Sequence, residues 1–127
     1  MGKVLYVPAK LRKLDKRFSL TFKFREALEL SPLKDMIEEG NIVAIKIHVG
    51  DMSGGGFRYI RPAFVRILVE YVRNLGGLPF ITDTWGLKHV YVGLRNGFNY
   101  ATLGCPLIPA NGIKENFFYE VEITKYF

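Results

Sequence analysis

The chain has 127 residues, 49% of them hydrophobic and 24% charged, which describes one folded domain with a single core and excludes a disordered chain. The formal charge is +6; the absence of any long apolar run excludes a membrane-spanning helix, and Cys105, the only cysteine, excludes internal disulfides and cysteine-built metal or iron–sulfur sites within one chain. Localisation is expected to be cytoplasmic, since the opening residues read as a short strand and not as a secretory leader.

That first strand is expected at Lys3 to Val7, closed by Pro8. Residues 1–25 then concentrate the charge: Lys3, Lys10, Arg12, Lys13, Lys16, Arg17, Lys23 and Arg25 stand against Asp15 alone, and the rest of the chain is close to neutral. Leu11, Leu14 and Phe18 recur at helical spacing, whereas Phe18, Leu20, Phe22 and Phe24 alternate as a strand would, so the pattern points both ways. A basic stretch with interleaved aromatics is one way to hold a phosphate backbone, and a solvated basic edge is the commoner one to find on a small protein. Arg25 to Leu30 has the composition of a short helix. Ser31-Pro32 caps a second, Leu33 to Glu39, which Gly40 stops.

The stretch from Asn41 to Trp85 contains a complete strand, loop, helix and strand. Ile42 to Val49 is β-branched and nearly continuously apolar, as in a parallel strand covered on both faces. Val43, Ile45, Ile47 and Val49 share one face, and Ile42, Ala44, Lys46 and His48 share the other. The glycines of residues 50–56 make a loop. Pro62 opens a helix in which Phe64, Ile67, Leu68, Tyr71, Val72 and Leu75 recur at three and four residues, with Arg66, Glu70 and Arg73 opposite. Gly76-Gly77 ends that helix, and Leu78 to Thr84 is the returning strand. Beyond it, Leu87 to Arg95 is either a helix or an irregular cover, and Asn96-Gly97 is a turn. Pro106 to Pro109 is a short strand at an edge or after a bend. Phe117 to Thr124 alternates as a final strand.

The segments "VAIKIHVGD" and "GGGFRYIRPAFVRILVEYVRNLGGLPFITDT" resemble the family known as domain of unknown function 362. Lys46, Gly50, Arg61, Pro62, Val65, Gly76, Gly77, Pro79, Thr82 and Asp83 carry the likeness, which continues weakly through "NGF" at Asn96 to Phe98 and "GCPLIPANGI" from Gly104 to Ile113. Longer members pair such a domain with ferredoxin-like iron–sulfur motifs. The likeness therefore implies the first part of a family member, without a cluster-binding module. It also implies a longer helical stretch before "NGF" than the Trp85 to Arg95 present here.

Ligands of open parallel sheets collect beyond the carboxyl ends of the strands. That places Lys46, His48, Asp51, Ser53, Gly54, Gly55, Gly56, Arg58, Arg61 and Asp83 at one rim as candidate ligand-binding residues. Each has a plainer reading. Lys46 in an apolar strand needs a partner, either a ligand anion or Asp83 or Asp51 in a structural pair. His48 is an acid or base at neutral pH, or a hydrogen-bonded packing residue. Gly54 to Gly56 offer N–H groups to an anion but lack a P-loop ending, and a ligand-free loop accounts for them equally. Arg58 and Arg61 flank a helix start suited to carboxylate or phosphate, or one of them bridges loop and sheet. His89 pairs with His48 as a conceivable metal set, but spacing supplies no third ligand, so no metal and no cofactor are expected. Cys105 reads as a packing residue.

The expectation is thus an α/β domain spanning residues 1–127, a three-layer sandwich with a mostly parallel central sheet and helices on both faces. Its rim takes a small anionic ligand. The competing readings are an interaction subunit or partial domain completed by another chain, and nucleic-acid binding through the basic arm. The aromatic supply at Phe117, Phe118, Tyr119, Val121, Ile123, Tyr126 and Phe127 predicts a homodimer or a separately encoded partner chain, and no membrane. These aromatics closing the domain's own core is the alternative.

Overall fold

The strand, helix and strand expected between Asn41 and Trp85 are present, and the rest of the fold is laid against them. The computed structural model describes residues 3–10, 14–51, 59–84 and 86–112. Strand β1 (Ile42–Lys46) pairs in parallel with β2 (Leu78–Asp83), Ile42 opposite Leu78 and Lys46 opposite Thr82. Strand β3 (Leu107–Pro109) pairs in parallel with the other edge of β2, giving the order β1-β2-β3. The apolar run from Ile42 to Val49 outlasts the strand, although Ile47 still donates to the Thr82 carbonyl at 3.1 Å. Val49 and Gly50 then turn across the top of the sheet, Gly50 at φ +95°.

Five α-helices accompany the sheet among the described residues: α1 (Leu20–Glu29), α2 (Leu33–Met36), α3 (Pro62–Asn74), α4 (Gly86–Arg95) and α5 (Tyr100–Leu103). The fold is therefore α/β with a parallel sheet. In α3, Pro62 occupies the first turn, where its missing N–H costs no bond, and the chain leaves through Gly76 in the left-handed region at φ +87°. Ile45, Ile47, Val49 and Ile81 meet Val65, Val69 and Val72 of α3, Val92 of α4, Leu103 of α5, Phe98 and Cys105 in one core. The sheet-facing stripe of α3 is thus rotated from the one its spacing suggested. The reason is a second apolar neighbour: Phe64 turns to α1, where its ring meets Phe24 edge-on at 5.7 Å.

The helices between the strands, α3, α4 and α5, all contribute to this one core, and the strand order explains it. Two successive crossovers of the usual right hand, each stepping in the same direction across the sheet, deliver their helices to the same face. The parity read from β1 holds: Ile45, Ile47 and Val49 are buried, while Ile42 (77% exposed), Ala44, Lys46 and His48 are open among the described residues. Of the expected covering layers, these residues show the one on the Ile45 face.

At the N-terminal end two expectations are corrected and one open reading is decided. Lys3 to Val7 forms no strand; it has no neighbour in the sheet, and Val4 and Tyr6 are exposed. The alternating Phe18 to Phe24 belongs to a 3-10 turn at Lys16–Phe18 and to α1, capped by the Ser19 hydroxyl accepting from Phe22 N–H. Leu33 to Glu39 shortens to the single turn of α2. The expected strand at Phe117 to Thr124 lies outside the described residues, as do Ser53, Gly54, Gly55, Gly56 and Arg58.

Candidate functional site

Asp83 is the last residue of β2 and only 4% exposed, so its carboxylate must be met by donors at the strand end. It is. Lys46 Nζ donates to Oδ1 at 2.9 Å, and Thr84 N–H donates to the same oxygen at 2.9 Å. Val49 N–H donates to Oδ2 at 3.0 Å. Burial pushes this carboxyl up, and the Lys46 ammonium with the Val49 and Thr84 amides more than offsets it, holding Asp83 below the usual carboxylate range. The Lys–Asp pairing that the sequence offered for Lys46 is therefore real. The lysine also donates to the Ile47 carbonyl at 3.0 Å, while its side chain remains 61% exposed.

Two imidazoles approach the other side of the carboxylate. Half-exposed His48 brings Nδ1 to 3.5 Å from Asp83 Oδ2, and largely buried His89 brings Nε2 to 3.7 Å from the same oxygen. One ligand atom from each of His48, Asp83 and His89 lies within 4.8 Å of the others. His89 arrives from α4, which begins three residues after Asp83; helical side chains lean back towards the N-terminus, so a residue in the first turns returns over the strand end. Spacing alone offers His48 and His89 no third group; in the structure Asp83 Oδ2, the carboxylate oxygen not bonded to Lys46, stands beside both.

The scaffold around these groups is tightly fitted. Asn96 Nδ2, just past α4, donates to the Val49 carbonyl at 2.9 Å, and a Cβ on Gly50 would stand 2.5 Å from that same nitrogen. Gly93 brings the α4 backbone against Val49 and Leu107, where a Cβ would collide with the Leu107 side chain. Tyr59 packs edge-on against the buried Phe98 ring at 5.6 Å. Asn96 is a residue that sequence reasoning read only as a turn former.

Of the other predicted rim residues, Asp51 is half-buried directly after Gly50, and Arg61 is exposed at the N-cap of α3. The basic arm is partly engaged within the protein: Lys23 donates to the carbonyls of Pro8 and Lys10, each at 2.6 Å, and Arg25 pairs with Glu70 at 3.0 Å, tying α1 to α3. Cys105 is fully buried, and burial pushes its thiol up. No helix among the described residues is long and apolar enough to cross a membrane.

Residues 43–127 match the family described as "Domain of unknown function (DUF362)". The chain belongs to that family. The match begins within β1 and takes in Lys46, His48, Asp83 and His89, whereas α1 and the basic arm precede it. No curated protein and no solved structure matches the chain. Family membership therefore brings no activity with it, and function has to be argued from the rim itself.

Proposed function

We propose that the carboxyl-end rim of β1 and β2 binds a small oxyanion, a phosphate or a carboxylate. The observation that carries this reading is the state of Lys46. Its ammonium is fixed by Asp83 and the Ile47 carbonyl, which engage two of its three donors, and its side chain stays largely open to solvent. A lysine held in place in this way has already lost much of the freedom that ligand capture would otherwise cost. Helix α4 starts just beyond Thr84, and α3 starts behind Arg61, so the N-terminal amides of both helices add favourable potential for negative charge at the same end of the sheet. His48 supplies a further donor at the rim. No reaction is assigned.

The test is thermal stabilisation by phosphate and by simple carboxylates, in chelator, for the wild type and Lys46→Met. Ligand at ten times its Kd adds about 1.4 kcal/mol. Loss of that increment in Lys46→Met, each protein compared with its own ligand-free stability, supports the reading; equal increments in both proteins reject it.

A second reading is favoured by the open face of the sheet, where Ile42 and Leu78, opposite each other in register, are both exposed, as is Ile108 on β3. On this reading the domain is an interaction subunit that pairs with a second copy or another chain. Light scattering at micromolar concentration checks it, with a 14.5 kDa species counting against self-association.

A further inference from the structure

We infer that His48, Asp83 and His89 bind a single divalent transition-metal ion. The inference uses side chains other than the lysine on which the anion reading depends, and so goes beyond it. The first support is distance. At 3.5 and 3.7 Å, the two imidazole nitrogens are too far from Asp83 Oδ2 for ordinary N–H···O bonds, which run to about 3.2 Å. Ligand atoms about 2.0–2.1 Å from a tetrahedral ion stand about 3.4 Å from one another, close to both separations. The three atoms lie within 4.8 Å of each other, and half-exposed His48 has the freedom to close the widest edge.

Donor chemistry and support agree with this. Two imidazoles and one carboxylate suit ions of borderline softness such as zinc, cobalt(II) or iron(II), and do not suit magnesium or calcium, which prefer all-oxygen sets. The carboxylate is oriented by Lys46, Thr84 and Val49, the kind of outer support that fixes metal ligands. Asp83 ends a strand and His89 lies on a ten-residue helix, so two of the three ligands stand on rigid elements. Three protein ligands leave coordination positions on the exposed His48 side. With Asp83 already balanced by Lys46, a bound divalent ion leaves surplus positive charge, which an oxyanion from that side would neutralise. Metal and anion would then occupy one site, with Lys46 beside them.

The experiment is a titration of untagged protein with cobalt(II), read by visible d–d absorption, with zinc and magnesium as competitors. We expect one equivalent to bind, zinc to displace it and magnesium not to. His48→Gln and His89→Gln should each weaken binding at least about tenfold. Because His48 is half-exposed, its variant remains informative even if His89→Gln fails to fold. No saturable cobalt(II) spectrum, unchanged affinity in His48→Gln, or loss in His48→Gln with full affinity in folded His89→Gln would each overturn the inference. Phosphate stabilisation in chelator is the separate arm: its loss in Lys46→Met but not in His89→Gln marks anion binding as independent of the ion.

Discussion

Replacing Asp83 by Asn changes one buried charge and almost no volume, so its cost isolates what the carboxylate does at the strand end. The Lys46 ammonium is largely exposed and regains water when its partner is neutral, so that bond is discounted. The Val49 and Thr84 amides cannot do so as readily. They donate to different oxygens of Asp83, and an amide side chain must present its own NH2 group to one of them. Hydrogen bonds to a charged group contribute about 1.5–3 kcal/mol each, and losing one while weakening the other costs about 2–4 kcal/mol. For a domain of this size that corresponds to a fall in Tm of about 8–16 °C. Calorimetry in chelator should record it at neutral pH. The pH dependence has a definite sign. The Asp83 carboxyl sits below its ordinary value of 3.8 in the folded state, so its stabilisation is complete above that value and is lost as pH falls through the lower, folded one. The gap between the two proteins should therefore be constant from about pH 5 upward and shrink below 3.8. A Tm within about 2 °C of wild type at neutral pH, or a gap that persists undiminished in acid, would refute the reasoning.

Gly50→Ala should destabilise by at least about 2 kcal/mol, because residue 50 lies at φ +95° and its new Cβ would press on Asn96 and Tyr59; chemical denaturation at equilibrium measures this. Cys105, buried and with its thiol pushed up, should stay inert to a disulfide reagent at neutral pH in the native protein and react only on unfolding. A double-mutant cycle on Arg25 and Glu70 should give a coupling below about 1 kcal/mol that fades with salt, since both side chains are partly exposed.

The central unit was legible because its signals were local and agreed: a β-branched run, a proline-opened helix and a double glycine before the next strand. Lys46 and Asp83 were legible for a related reason, since a lysine inside an apolar strand demands a partner and only a few acids stood near. Where local patterns conflicted, tertiary packing chose. The alternating Phe18 to Phe24 became helical because α3 offers Phe64 to Phe24, a contact that no local window contains. Lys3 to Val7 had strand composition and no strand to pair with. His89 was hidden because its place depended on α4 being a helix that starts directly after β2. A sequence with Val and Gly at Val90, Val92 and Gly93 leaves that undecided until the close fit of Gly93 against Leu107 is seen.

The most direct test of the ligand rim is a phosphate titration of isotope-labelled protein in chelator, followed through the backbone amide resonances. The account predicts saturable shifts centred on Ile47, Val49, Gly50 and Thr84, with the amides of α1 unmoved, and their loss in Lys46→Met. Shifts confined to the basic segment before α1, or none that saturate, would contradict it.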